Sequence, residues 1–309
     1  MRAIRQHALG GPEVLELADV PRPEPGPTEV LVRVTAAGVN PVDWKVRARG
    51  GFLGEPPFTV GWDVAGVVEE LGRGVTRFVP GARVFGMPLF PREAAAYAEY
   101  VTAPSRQFAL IPEGLGDVEA AALPLAGLTA WQALVETAAV GPRSSVLVLA
   151  AAGGVGHLAV QIAKARGAHV IGTARAEKHG FLASLGVDEA VDYTPGPLAG
   201  RVEDVDAVLD LVGGEAAVDA LSTLRNGGIL VTVTGDADRL RELADGRVRV
   251  AGLLVEPDRL GMESLAELAA DGALRPHVSE TFPLAEAARA HETIETGRTL
   301  GKLVLTVSG

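Results

Sequence analysis

The stretch "LVLAAAGGVGHLAVQIA", residues 147 to 163, restricts the fold of this chain more than any other. It carries no charged side chain, and glycines 153, 154 and 156 sit in its middle. A membrane span needs about 20 mostly apolar residues in one continuous helix. The glycines and the β-type run "SVLVLAA" that leads into them argue against such a helix. What remains is a strand, a glycine turn and a helix beginning near Val155.

The surroundings repeat that order. After "SVLVLAA", strand-like runs ("HVIGTA", "EAVDY", "VDAVLDLV", "GGILVTVTG", "VRVAGLLV") alternate with helix-like ones from about Glu177 and Glu215. Alternation of this length predicts a parallel sheet with helices on its faces. Its buried strands read as near-continuous apolar runs. Residues 1 to about 120 differ: short strands such as "EVLVRVTAAGV" stand among Gly and Pro, and no sustained helical pattern appears before about Val118. The tail holds the helical runs "MESLAELAADGAL" and "PLAEAARAHETIETG" and a last strand, "KLVLTV". That strand matches the β pattern of the first part, so the chain is expected to return there at its end.

The glycine turn suits a diphosphate. Glycine lets backbone approach a ligand closely. The following helix directs free N–H groups and about half a positive charge at whatever sits in the turn. The fingerprint is A-x-G-x-x-G, with Ala151 at the first glycine position, followed by Gly153 and Gly156; a tight turn without ligand is the plainer alternative. An NAD site of this kind usually shows an acid at the end of the second strand. Here "HVIGTARAEK" supplies Thr173 and Arg175, and the first acid, Glu177, falls into the next helix. Arg175 and Lys178 favour a 2′-phosphate and hence NADP over NAD, unless they are ordinary surface cations.

Other chemistries are set aside. There are 28 basic and 39 acidic residues and no basic cluster, which argues against nucleic acid. Cysteine is absent, so disulfides and thiolate metal sites are excluded. No P-loop or G-x-S-x-G elbow occurs. "HETIE" at His291 lacks the second histidine of H-E-x-x-H and reads as an exposed helix. No tyrosine has a lysine four residues on, and His157 reads as a packing residue or a weak phosphate neighbour. The N-terminus has no signal-like apolar core, which leads us to expect a cytoplasmic protein.

Several motifs together carry a family resemblance: "GVNPVDWKVR" (38–47), "GWDVAGVV" (61–68), "PLAGLTAWQAL" (124–134), "AAGGVG" (151–156), "LGVDEAVDY" (185–193) and "GKLVLTV" (301–307). The chain resembles the zinc-independent branch of the medium-chain dehydrogenase/reductase superfamily, the quinone oxidoreductase (zeta-crystallin-like) group. The resemblance implies an α/β fold: a Rossmann doubly wound parallel sheet, residues 122–274, inserted in a GroES-like, mostly β catalytic domain made of residues 1–121 and 275–309. It implies NADPH, a cleft between the domains, and quinones, enones, 2-alkenals or enoyl thioesters as small-molecule substrates. A non-catalytic NADPH-binding crystallin-like protein and a dedicated enoyl reductase of a biosynthetic pathway are the alternatives.

Site residues follow from the same resemblance. Zinc relatives read G-V-C-x-x-D and G-H-E; this chain has Asn40 for that cysteine and Trp62 for that histidine, so no metal is expected. Asn40 is placed near the nicotinamide ribose and Thr129 near the nicotinamide end or its phosphate. Ala152, Gly153, Gly154 and Val155, with Gly156, take the diphosphate. Thr173, Arg175, Lys178 and Tyr193 surround the adenosine 2′-phosphate. Val212 and Gly213 follow the fourth strand, and Thr234 and Gly235 end the fifth. Val255 to Pro257 run along the carboxamide, and Lys302 lies near the cofactor. Lys45 stands where some relatives carry tyrosine. Lys45 and Asn40 are candidate donors to a developing enolate, although Lys45 also reads as solvent-facing. Asp43 reads as holding the loop rather than as a base. Trp62 packs against nicotinamide or substrate, or fills core. Finally, "VRVAGLLV" reads as a bare sheet edge that pairs a homodimer.

Overall fold

The computed structural model describes residues 1–244 and 246–307. The last two residues of the expected 275–309 segment, and Asp245, lie outside the described residues. The chain divides into two compact units, with the boundaries at 128/129 and 255/256.

The first unit is built on the strand Glu29–Val39, whose eleven residues alternate and then become wholly buried. It pairs antiparallel with three strands: Val64–Leu71, Tyr100–Pro104 and the C-terminal Lys302–Thr306. Arg83–Gly86 and Phe108–Leu110 extend the sheet on one side and Val278–Pro283 on the other, giving seven strands. The chain does return at its end, and the pairing of Leu303 with Val39 sets Lys302 beside Asn40.

One element of this unit escapes periodicity. Pro41–Arg49 is a helix, where the sequence shows no helical pattern and led us to expect irregular, mostly β structure. Pro41 suits its first position, and Gly50, at φ +77°, ends it. Its buried face is Asp43, Val46 and Arg47. Two of the three are charged, so no apolar stripe marks the helix.

The second unit holds six parallel strands in the spatial order Glu189–Val191, His169–Thr173, Ser145–Val148, Val205–Asp210, Leu224–Thr232, Arg249–Gly252. This is the doubly wound order, with its switch point between the third and fourth of these. Leu147, Val208 and Leu230 from three strands, with Ala217, Leu221 and Leu240 from the covering helices, form its core. Arg249–Gly252 is an edge strand.

The helix Arg259–Ala270 lies in the first unit, whereas residues up to 274 were expected in the second. Glu263 pairs with Arg77 at 2.7 Å, and Leu265 closes over Gly127. Those contacts, invisible to periodicity, fix its place. No helix among the described residues is long and apolar enough to cross a membrane.

Candidate functional site

In the second unit, the strand Ser145–Val148 leads into a turn and then the ten-residue helix Gly156–Ala165. Thr173, at the end of the neighbouring strand, ties the turn down. Its Oγ1 accepts from Ala150 N–H at 3.1 Å and its carbonyl accepts from Ala151 N–H at 3.0 Å. A Cβ on Gly156 would overlap the Ala150 carbonyl oxygen and lie 2.7 Å from Ala151 Cα, so only glycine fits. Gly153, Gly154 and Val155 are half-buried at the open end of the turn, while Ala152 is buried. His157 is fully buried, and its Nδ1 lies 2.9 Å from the Gly153 carbonyl, which can only accept. It buttresses the turn from inside.

The turns after the fourth and fifth strands are joined by a residue that sequence reading missed. Asp210 is fully buried. One carboxylate oxygen accepts from the N–H groups of Val212 and Gly213 (2.9 and 2.8 Å), and the other from the Thr232 hydroxyl at 2.7 Å. Thr232 in turn meets the Thr234 hydroxyl at 2.8 Å. Gly213 (φ +78°) and Gly235 (φ +92°) take left-handed conformations there. These turns and the glycine turn all lie at the carboxyl ends of parallel strands, where ligands of such sheets bind. Arg175 and Tyr193 are exposed, with Arg175 Nε donating to the Tyr193 hydroxyl at 3.3 Å. Lys178 is half-buried on the 3₁₀ turn Ala176–Lys178. Thr129 and Val255 are buried.

In the first unit, Asn40, Asp63 and Lys302 form one buried cluster. Lys302 Nζ donates to Val39 O at 3.0 Å, to Asn40 Oδ1, and to Asp63 Oδ2 at 3.4 Å. Its three donors thus have three acceptors. Asn40 Nδ2 donates to Asp63 Oδ2 at 2.8 Å. Asp63 Oδ1 accepts from Leu125 N–H at 2.7 Å, in the first turn of the helix Pro124–Trp131, where negative charge is favoured. Both ends of the Asn40 amide are therefore engaged, with one Nδ2 hydrogen left over.

Asn40 is held through its backbone as well. Its N–H donates to Asp43 Oδ2 at 2.6 Å, and Asp43 N–H returns a bond to Asn40 O at 3.0 Å. Asp43 is fully buried, and that burial pushes its carboxyl up to about 7 against the Asn40 bond, which lowers it. Tyr97 and His291 lie behind Asp43. Burial, with the Asp43 charge next, holds the Tyr97 phenol well above its usual range. Burial and then the Arg47 guanidinium push His291 down to about 3. The helix Ala287–Glu295 was expected to be exposed at His291. The ring is instead fully buried, because Arg47 and Tyr97 give both its nitrogens partners.

Trp62 fills core: it is fully buried, its indole N–H donates to Arg92 O at 2.7 Å, and it stacks edge-on to Phe90. Lys45 is exposed, its ammonium 5.9 Å from the centre of the Trp44 ring. Pro257 is half-buried in the first unit. Of the residues missed, Asp63 left one signal, a carboxylate beside the apolar strand "VAGVV". Arg47 stands in the motif 38–47 with nothing to mark its burial, His291 was read as exposed, and Tyr97 left no signal.

Two family descriptions match the chain. The alcohol dehydrogenase GroES-like domain covers residues 26–113 and the zinc-binding dehydrogenase domain residues 185–305. Together they define a two-unit dehydrogenase/reductase, GroES-like in the first unit and Rossmann-type in the second. Among curated relatives, the 2-haloacrylate reductase of Burkholderia sp is 35% identical over 97% of this chain and 97% of its own. The structure of the quinone oxidoreductase from Coxiella burnetii has a TM-score of 0.94 and 40% identity over 100% of this chain and 99% of that one. The Escherichia coli quinone oxidoreductase complexed with NADPH has a TM-score of 0.87 and 28% identity over 99% and 100%. The chain belongs to the medium-chain dehydrogenase/reductase superfamily, in its zinc-independent quinone oxidoreductase group.

The zinc of the family description does not fit this donor set. Zinc takes anionic or imidazole ligands with an open position. Here an amide and an indole stand at the ligand positions, and the Lys302 ammonium already occupies Asn40 and Asp63.

Proposed function

We propose that this chain is an NADPH-dependent reductase of quinones or of activated C=C bonds in enones, 2-alkenals and enoyl thioesters. The observation that carries the reading is the turn 150–156, closed so tightly that residue 156 must be glycine and followed by a helix N-terminus. Relatives named quinone oxidoreductase and 2-haloacrylate reductase agree with it.

NADPH, when bound, supplies the hydride. The residues 152–156 and the helix behind them would hold its diphosphate through backbone N–H groups. Arg175, beside Tyr193, would take the 2′-phosphate. The acceptor's conjugation spreads the charge left by hydride addition onto a distant oxygen. A donor in the site would stabilise that oxygen, the remaining Asn40 Nδ2 hydrogen and the exposed Lys45 ammonium being the candidates, and the proton that completes the reduction would come from Lys45 or from water. Proximity supplies the rest.

The test is direct. NADPH fluorescence and thermal melting should respond to binding, and a quinone and enone panel should be reduced with NADPH oxidation. Binding without turnover would instead support the crystallin-like alternative. Arg175→Ala is expected to raise KM for NADPH about 10- to 100-fold, as loss of a charge-assisted bond of about 1.5–3 kcal/mol implies. KM for NADH should stay unchanged; equal effects on both would refute the assignment. Gly156→Ala should weaken NADPH binding at least about 100-fold, because the alanine methyl displaces backbone of the turn itself; titration of NADPH fluorescence measures it. We further assign the edge strand Arg249–Gly252 to an edge-to-edge homodimer. A monomer by light scattering at micromolar concentration would exclude it.

A further inference from the structure

Four buried polar residues that the proposed reaction does not use stand in single file. Arg47 Nη1 lies 3.3 Å from His291 Nδ1, His291 Nε2 lies 3.2 Å from the Tyr97 hydroxyl, and that hydroxyl lies 2.9 Å from Asp43 Oδ2. A guanidinium has only donors, so His291 Nδ1 accepts. The neutral ring then carries its proton on Nε2 and donates to Tyr97, whose own proton goes to Asp43. Every bond points the same way. Arg47 also donates to Glu295 at 2.6 Å, towards the surface. Arginine does not release a proton, so the file is no wire from Glu295. It is a fixed array of dipoles aimed at one carboxyl.

Asp43 is asymmetric in a way that calls for an explanation. Oδ2 takes two donors, the Tyr97 hydroxyl and the Asn40 N–H, while Oδ1 is buried with no partner. A bare, dry carboxylate oxygen is costly; a proton there removes the charge and leaves the smaller cost of an unpaired hydroxyl. The charged and titratable groups facing Asp43 come from four other places. Asp63 opposes its ionisation and Lys302 favours it. Tyr97, backed by His291 and Arg47, favours it through the file.

We propose that Asp43 is a positioning residue whose charge holds the turn bearing Asn40, and that Tyr97, His291 and Arg47 set the balance between its two states. When ionised, Oδ2 draws in the Asn40 N–H and fixes the turn. With a proton on Oδ1 that bond weakens and the turn relaxes. The effect on hydride transfer rests on the reductase reading above; the coupling of Asp43 to Asn40 does not. Burial, which places this carboxyl near 7, brings the change into the working range.

The chain has two asparagines, 40 and 226, so selective ¹⁵N-asparagine labelling isolates the Asn40 amide beside an internal control. In wild type, the Asn40 amide proton should move downfield with rising pH, with a midpoint near 7, while Asn226 stays still. With NADPH and an acceptor from the panel, kcat/KM should rise through the same midpoint. Asp43→Asn, which adds one labelled peak, should abolish both titrations. Tyr97→Phe removes a bond to the charged form and should move both midpoints up by about one pH unit. Its kcat/KM then falls about fivefold at pH 7 and recovers by about pH 9.5. An Asn40 amide that does not titrate, or titrates unchanged in Asp43→Asn or Tyr97→Phe, overturns the proposal. A titrating amide with a flat kcat/KM overturns the positioning role. If no acceptor is reduced, the reductase reading fails, and the amide titration alone decides whether Asp43 controls the turn.

Discussion

Lys302→Met is expected to destabilise the protein by about 3–5 kcal/mol, the cost of removing one partner from a buried ion pair. The side chains of Lys302 and Asp63 are 2% and 0% exposed. Methionine matches the length of lysine closely, so little packing is lost and the loss is electrostatic. It strands the Asp63 carboxylate, takes one donor from the Val39 carbonyl and frees the Asn40 amide oxygen. Urea unfolding of wild type and variant reads the difference. Adding Asp63→Asn to Lys302→Met should recover part of the loss, because the stranded charge then disappears. A single-variant loss below about 1 kcal/mol would mean that water reaches the cluster.

The second large effect is on stability as a function of pH, where two buried groups oppose each other. Asp43 has its folded-state pKa raised from 3.8 to about 7, so it favours the fold fully below about 4. Between there and pH 7 the unfolded chain is ionised while the fold keeps its proton, and about 4 kcal/mol is lost. His291 runs the other way. Its folded-state pKa falls from 6.5 to about 3, so it favours the fold above 6.5. As the pH falls towards 3, protonation of the unfolded chain removes about 5 kcal/mol. Between about 4 and 6.5 the two slopes cancel in wild type. Asp43→Asn should expose the histidine slope, with stability rising as pH rises through this window. His291→Gln should expose the aspartate slope, with stability falling instead. Chemical denaturation at four or five pH values decides it, and parallel curves for all three proteins would refute it.

The sequence carried the second unit well because its signals are local. Buried parallel strands such as Ser145–Val148 read as apolar runs, and the Gly153/Gly156 spacing is a backbone requirement written in residue type. The polar cluster of the first unit was legible only in part. Asn40, Asp43 and Lys302 stand in family motifs, but their partners come from far along the chain. Tyr97 lies in a loop, and His291 sits on a helix whose pattern gives no warning that its ring is buried. The helix Pro41–Arg49 was missed for a related reason: it buries Asp43 and Arg47, and a hydrophobic period cannot report a face made of charges. The reach of Arg259–Ala270 into the first unit depends on single contacts, Glu263 with Arg77 and Leu265 with Gly127, that leave no local trace.

The Lys302–Asp63 contact joins residues 239 positions apart in the chain. During synthesis the whole of 129–255 emerges before Lys302 does. The inserted sheet, continuous in the chain, can close early, while the surrounding unit waits with Asp63 uncompensated and residues 36–39 unpaired on one side. N-terminal parts commonly fold first on the ribosome; here the first unit cannot be completed until the strand Lys302–Thr306 has been made.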